Sequence, residues 1–347
     1  MSMKAKILEL LREKKDRVAA GAPESEAYVS GQELCEQFGV SRTAVWKAIG
    51  QLKKEGYVIE AVQNRGYRLL DQTEEVYNQA DIQSRLKTKW VAHPLQFFDS
   101  IDSTNIRAKL EAEQGAESGL LVVSDMQSAG RGRRGRGWES PAGTNIYYTL
   151  MLKPDFSSDC APMLTLVMAL AVAKGIRQTL RRDSEEAAAK VGIKWPNDIV
   201  VDGKKVCGIL TEMSMEQGYI QHIVIGVGIN VRKQEFPEEI RDRAAAIDEQ
   251  CGFRISRSQL IADIMEASEE DYEIFLRTHD LKGLRASYAE LLVNQDREVC
   301  VLDPKGEYRG IARGINDQGE LLVERQDGTV EEVYAGEVSV RGIYGYV

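Results

Sequence analysis

Gly130-Arg131-Gly132-Arg133-Arg134-Gly135-Arg136-Gly137-Trp138 packs four glycines and four arginines into nine residues of a chain whose net charge is -9. Gly130, Gly132 and Gly135 formally satisfy G-x-G-x-x-G, which in a doubly wound parallel sheet opens a helix onto a pyrophosphate. No helix can follow here, because Gly137, Pro141 and Gly143 come next. A Rossmann fold is therefore excluded, and the absence of G-x-x-x-x-G-K-[ST] excludes a Walker-type NTPase. What remains is an anion-binding loop: glycines let the backbone approach a ligand, and guanidinium groups offer two-pronged hydrogen bonds to carboxylate or phosphate. A solvated basic loop is the plain alternative for such a cluster.

Outward from this loop, apolar strands alternate with helices. Leu95 to Phe98, Gly119 to Ser124, Asn145 to Leu152, Ile199 to Val201, Val206 to Glu212 and Ile220 to Ile225 read as strands, and Pro162 to Arg182 and Arg257 to Thr278 as long helices. Neighbouring hairpin patterns favour a mixed or antiparallel sheet. From about Val293 the pattern becomes short alternating runs, Glu298 to Leu302, Tyr308 to Ile315, Leu321 to Arg325 and Val330 to Tyr334, broken by Gly306, Gly319 and Asp327-Gly328. That predicts a small antiparallel β-barrel or sandwich.

The N-terminal stretch has its own logic. Met1 to Asp16 is charged and amphipathic, with Ile7, Leu8 and Leu11 on one face, unlike a signal peptide. Ser30-Gly31-Gln32-Glu33 is a capping box opening a short helix that Gly39 ends. Ser41 caps a second helix whose Val45, Ile49 and Leu52 form a buried stripe. Two helices across a short turn make a helix-turn-helix. Tyr57 to Val62 and Tyr67 to Leu70, joined by Gln63-Asn64-Arg65-Gly66, supply a wing. Between Ser41 and Arg68 six Lys/Arg face two acids, so a local basic surface exists within an acidic protein, and DNA is its natural partner. The DNA candidates are Ser41, Arg42, Thr43, Trp46 and Lys47 on the helix and Arg65 and Arg68 on the wing; a protein-contact role is the alternative.

At 347 residues the chain should form two or three domains. The pI of about 5.2 argues against global attraction to nucleic acid. Five scattered cysteines without a C-x-x-C, and three scattered histidines, fit a reducing cytoplasm and no zinc site. The longest apolar stretch, Met163 to Ala173, is too short for a bilayer and reads as a buried helix, so no membrane is expected.

Four further motifs carry polar chemistry. Asp102-Ser103-Thr104-Asn105 precedes a helical pattern, where capping is the commoner role and ligand binding the other. Gln127 stands three residues before the Arg/Gly loop. Lys194-Trp195-Pro196-Asn197-Asp198 and Lys205 flank an Asp202-Gly203 turn, and Gly226-Val227-Gly228-Ile229-Asn230 ends an apolar strand. In this order, with Lys205-Val206-Cys207-Gly208, these motifs resemble the bifunctional biotin–protein ligases that also repress the biotin operon, and the resemblance covers nearly the whole chain.

The resemblance implies an α+β multidomain protein. A winged helix-turn-helix occupies residues 1–72, a mixed-sheet ligase domain of the class II synthetase type 73–290, and a small SH3-like barrel 291–347. It implies that biotin and MgATP give biotinyl-5′-AMP, which acylates a lysine of a biotin carboxyl carrier domain. Catalytic roles fall on Arg133, Lys194 and Lys205. Biotin contacts fall on Ser103, Thr104, Asn105, Gln127, Arg131, Gly132, Arg133 and Lys205. Nucleotide contacts fall on Arg131, Arg133, Arg134, Arg136, Trp138, Lys194, Asn197, Asp198 and Asn230. The Mg2+ ligand stays unassigned.

Trp138 is expected to wall the ligand and Trp195 to sit in the core. The Arg/Gly loop and Arg232 to Ala246 are expected to order over a water-labile anhydride. The adenylate is expected to act as corepressor by promoting a homodimer on palindromic operator DNA. A departure from the family lies at Arg17 to Tyr28, an insert between the first two helices. Two other readings remain open: a ligand sensor without catalysis, and a lipoate or octanoate ligase, against which the polar Ser103, Thr104 and Gln127 speak.

Overall fold

A computed structural model describes residues 1–72, 74–302 and 306–334, with the backbone of 339–342. Its contacts divide the chain into two compact units, Met1–Leu86 and Lys87–Val347.

In the first unit, α1 (Met3–Ala19) buries Ile7, Leu8 and Leu11, and continues three residues beyond the amphipathic run. The insert then turns through a 3-10 segment at Glu24–Ala27. Helix α2 (Gly31–Phe38) starts where the Ser30 hydroxyl accepts the Glu33 N–H at 3.0 Å and stops at left-handed Gly39. Helix α3 (Arg42–Lys54) is capped by Ser41 and buries Val45, Ala48, Ile49 and Leu52. Strands β1 (Ile59–Val62) and β2 (Gly66–Leu69) form the wing. Val29 adds a bridge to Tyr67, so the end of the insert supplies a third piece of sheet. Gly66 permits this: with φ +115, a Cβ there would lie 2.1 Å from the Val29 carbonyl oxygen.

The unit runs through α4 (Gln79–Gln83), past the expected boundary at residue 72, because Asp81 is buried beneath it. Arg12 pairs with that carboxylate, Arg85 approaches at 3.2 Å, and the Tyr57 hydroxyl donates to it at 3.1 Å.

The second unit is built on a seven-stranded sheet comprising β3 (Leu95–Phe98), β4 (Leu120–Ser124), β5 (Ile146–Leu152), β6 (Val191–Lys194), β7 (Asp198–Val201), β8 (Lys204–Glu216) and β9 (Tyr219–Ile229). Its order is β3-β4-β5-β9-β8-β7-β6, and only β3 and β4 run parallel. The sheet is mixed, as expected. β6 escapes sequence reading because it is only four residues long, includes Gly192 and Lys194, and is buried along its whole length. β8 and β9 extend beyond their apolar runs because a Gln217-Gly218 turn, both residues at positive φ, joins them as a hairpin; Asp202-Gly203 does the same between β7 and β8.

Helix α5 (Thr104–Glu113) lies on one face, where Ala108 and Ala112 meet Leu120, Val122, Met151 and Val224. Helix α6 (Met163–Arg181) lies on the other: Tyr148, of opposite parity to Met151, reaches Met168, and Thr211 bonds Thr165 at 2.8 Å. With its lead-in, α6 belongs to a 24-residue segment, Ser158–Arg181, long and apolar enough to cross a bilayer, which corrects the expectation from sequence. Of its most apolar 18-residue stretch, 72% is instead buried inside the fold, as the expected core helix. Short α7 (Glu185–Ala189) and α8 (Ile247–Cys251) follow, then α9 (Arg257–Phe275), packed on α6, and α10 (Arg285–Leu291). The chain ends in a five-stranded antiparallel sheet of β10 (Glu298–Leu302), β11 (Tyr308–Ile315), β12 (Leu321–Glu324), β13 (Val330–Val333) and β14 (Ser339–Gly342).

The α6–α9 contact depends on one glycine. A Cβ on Gly175 would stand 2.5 Å from Ile264 Cγ1 and 2.8 Å from its backbone. Gly175→Ala should therefore lower unfolding stability by about 1–3 kcal/mol, the usual cost of overpacking, read from denaturant melts at unchanged m-value.

Candidate active site

On the α5 face the sheet is left bare at β8 and β9 by Gly208, Gly226 and Gly228. Side chains would have filled this space: a Cβ would come within 2.1 Å of Asn105 Oδ1 at Gly226, 2.4 Å of Trp138 Nε1 at Gly228 and 3.0 Å of the Trp138 ring at Gly208. Above the glycines opens a cavity of about 370 Å³, in the range of small-molecule sites.

The Arg/Gly loop folds over this floor as a hairpin. Gly132 donates to the Arg136 carbonyl at 2.7 Å and Trp138 to that of Gly130 at 2.9 Å, while Arg134 adopts φ +57. A short 3-10 turn, Arg133–Gly135, sits at its tip, so no helix begins where a dinucleotide loop needs one. Arg131, Arg134 and Arg136 are exposed and Arg133 half-buried, which pulls its pKa below the usual arginine value, partly offset by Asp198. Arg133 donates to Asn197 Oδ1 at 2.8 Å, and Asn197 Nδ2 donates to the Ile209 carbonyl at 3.0 Å. Lys205 pairs with Asp198 at 2.5 Å and lies 5.7 Å from the Trp138 ring centroid, a cation–π distance. Two loops far apart in sequence thus share the site's cations.

On the opposite wall, Gln127 Oε1 accepts from the Thr104 backbone at 2.9 Å and hydroxyl at 3.1 Å, and Gln127 Nε2 donates to Ser140 Oγ at 3.0 Å. Ser103 occupies the N-cap position of α5 without capping it, so capping, the commoner role for this motif, is not what its hydroxyl does. Asn105 is engaged at both ends of its amide: Nδ2 donates to Glu212 at 2.7 Å and Oδ1 accepts from Thr149 at 2.6 Å. Burial would raise the Glu212 pKa, but hydrogen bonds from Lys109 and Asn105 hold it below the ordinary value. Asn105 therefore holds the wall in shape.

All fifteen residues assigned from the sequence to biotin or nucleotide line this one cavity. Trp195 is 2% exposed, the core residue expected. Ser140, Thr149 and Leu302 went unnoticed, and Ile240 and Arg243 were named only as part of the Arg232 to Ala246 segment. Ser140 and Thr149 lie in strand or loop runs with no motif, and the other three reach the cavity only through tertiary folding. The segment Arg232 to Ala246 is anchored at both ends. Arg232 is buried, paired with Asp248 at 2.6 Å and donating to the Ile255 carbonyl at 2.9 Å. At its other end, Arg243 and Ala245 form backbone bonds with Lys205 at 2.7 and 2.9 Å. Only residues 233–243 stay exposed or half-buried.

In the N-terminal unit Ser41, Arg42, Thr43, Trp46 and Lys47 are exposed along α3, Trp46 at 67%, and Arg65 is exposed on the wing. Arg68 differs. It is paired with Glu24 of the insert and, at 2.5 Å, with Glu60, and lies over the Tyr28 ring, so its charge is already compensated.

Comparison with known proteins agrees with this architecture. Residues 97–230 match the biotin/lipoate A/B protein ligase family, residues 24–68 an HTH domain, and residues 296–341 the biotin protein ligase C-terminal domain. The bifunctional ligase/repressor BirA of Bacillus subtilis is 36% identical over 329 residues, covering 94% of this chain and 98% of that protein. The chain belongs to the bifunctional biotin–protein ligase/repressor family. The Escherichia coli BirA is 32% identical, covering 90% of this chain and 92% of its own. Among solved structures, the Aquifex aeolicus biotin protein ligase in complex with biotin and ATP superposes with a TM-score of 0.60 at 28% identity, covering 72% of this chain and 98% of that one.

A methyl group at Gly228 must displace the Trp138 indole. Gly228→Ala should weaken binding of both biotin and ATP by about tenfold or more while the melting temperature moves by only a few degrees, measured by titration calorimetry and thermal melts.

Proposed function

We propose that the chain is an ATP-dependent biotin–protein ligase whose winged helix represses biotin genes, and that the cavity on the glycine floor is where both chemical steps occur. The observation that carries this reading is the meeting of the Arg/Gly loop and the Lys194–Asp198 loop across one cavity, through Arg133–Asn197 and Lys205–Asp198.

A carboxylate is ionised at neutral pH, so its attack on the α-phosphate of ATP needs no general base. It needs crowded negative charge to be neutralised. Arg131, Arg133 and Lys205 hold the biotin carboxylate against the phosphates. Ser103, Thr104, Gln127 and the backbone at Gly132 face the polar ureido ring, and Asn105 keeps their wall in place. Lys194, Asn197, Asp198, Asn230, Trp138, Arg134 and Arg136 serve the nucleotide. Biotin's carboxylate oxygen bonds to phosphorus as pyrophosphate leaves. In the second step an amine of the carrier lysine attacks the acyl carbon of biotinyl-5′-AMP, the C–O bond to phosphate breaks, and AMP departs.

Among the described residues no cluster of three or more metal-ligating side chains exists. That donor set fits Mg2+ arriving with the nucleotide, since this ion commonly takes one carboxylate plus substrate phosphates. Asp198 would be the carboxylate that holds it, and the ion would supply charge neutralisation on the phosphates.

Residues 233–243 and the Arg/Gly loop order over the adenylate and exclude water. Limited proteolysis should show both protected by biotin plus ATP; equal cleavage with and without ligands would contradict this closure. The adenylate then favours a homodimer that presents two winged helices to operator DNA, in competition with the biotin carboxyl carrier protein, in the cytoplasm, where all five cysteines stay free.

Incubation with labelled biotin, MgATP and an apo carrier domain should label one carrier lysine, and lipoate should not substitute. Arg133→Ala with Lys205→Ala should slow adenylate formation by at least about a hundredfold, as loss of electrostatic stabilisers does; an unchanged rate would sink the mechanism. On DNA, Lys47→Ala and Arg65→Ala should each reduce the salt slope of binding by about one, whereas Arg68→Ala, with its charge already compensated, should change it least.

A further inference from the structure

The Lys194–Asp198 loop is held by residues remote from it in sequence. β6 ends at Lys194, and the residues on either side of it, Ile193 and Trp195, are gripped from the C-terminal part of the unit. The Ile193 carbonyl accepts from Val293 N–H at 2.9 Å, Trp195 N–H donates to Asn294 Oδ1 at 3.0 Å, and the Trp195 indole donates to the Gly319 carbonyl at 3.0 Å. The approach is close enough to need a glycine on β6: a Cβ on Gly192 would lie 2.3 Å from Val293 Cγ1.

Asn294 itself is wholly buried and does not line the cavity. A backbone N–H can only donate, so the atom facing Trp195 must be the amide oxygen. That choice turns Nδ2 the other way, where among the described residues it finds no partner. A leucine of similar size would fill the space and remove the unpartnered Nδ2, but it would strand the buried Trp195 N–H. What asparagine supplies and leucine cannot is the acceptor for Trp195.

We propose that Asn294 is a positioning residue for the adenylation step. Through the main chain of Trp195 it fixes Lys194 on one side and Asn197 and Asp198 on the other, and so ties the geometry of the nucleotide side to the start of the C-terminal sheet. The inference rests on the reading of this loop as nucleotide-binding. Asn294 lies outside the cavity, so its effect must appear chiefly in ATP usage and spare the wall that faces the biotin ring, built from Thr104, Gln127 and Ser140.

The test uses the full chain and steady-state adenylation, with each substrate varied at saturation of the other. Asn294→Leu should raise the KM for ATP about tenfold while the KM for biotin stays within about twofold, the consequence of losing one positioning hydrogen bond. Asn294→Asp, which keeps an acceptor oxygen, should recover most of the ATP affinity. The proposal is overturned if Asn294→Leu leaves the KM for ATP unchanged, if both KM values rise together, or if leucine and aspartate behave alike. Should Asn294→Leu reduce the folded fraction, Trp195→Phe removes only the indole–Gly319 bond. A selective rise in the KM for ATP then supports the clasp, and loss of kcat in proportion to folded protein refutes it. A parent chain that adenylates no biotin would be a different result, refuting the ligase reading itself.

Discussion

A sheet covered on both faces has no room for a ligand unless side chains are missing, and everything in the ligase unit follows from where they are missing. β5 is buried along its whole length, as a central strand under helices should be. The neighbouring β8 and β9 carry Gly208, Gly226 and Gly228 on the α5 face, and the resulting trough is the floor of the cavity. Glycine in a strand weakens it through entropy and lost packing. The cost is borne in the middle of a sheet whose other face is sealed by α6 and α9, where the loss is best tolerated.

Charge is arranged around that trough with the same economy. The protein is acidic overall, yet arginines from one loop and lysines from the β6–β8 region converge where two anions must be brought together. Asp198 and Asn197 engage the nearest cations. These contacts keep the basic loop folded onto the sheet while leaving groups that can be exchanged for phosphate oxygens. Cys207, buried beside Lys205, has its thiol pushed well above its ordinary pKa by burial, which disfavours the thiolate.

The N-terminal unit shows a similar local compensation. Asp81, buried between Arg12, Arg85 and Tyr57, welds α4 to α1. The insert between α1 and α2 is part of the wing: Val29 pairs with Tyr67, and Glu24 covers Arg68. The basic face therefore consists chiefly of α3 and the wing tip, narrower than the count of Lys and Arg between Ser41 and Arg68 suggests.

Sequence alone determined the helix-turn-helix, the mixed sheet, and the identity of the cavity's main side chains. Each is encoded locally: caps at Ser30 and Ser41, a left-handed stop at Gly39, alternation in β5, and glycines and arginines adjacent in the chain. Four things were decided by tertiary structure. Strand β6 is a strand because β7 pairs with it, since four residues are too few to establish a period. Ser103 leaves its helix uncapped, although its position favours capping. The Arg232–Ala246 stretch is pinned at both ends by a buried ion pair and by Lys205, contacts that polar composition cannot reveal. The grip of Asn294 on Trp195 spans 99 residues of sequence. Local pattern fixes conformation because its energetics involve neighbours within a turn or a strand; which buried polar groups meet is settled only when distant segments pack and each donor must find an acceptor.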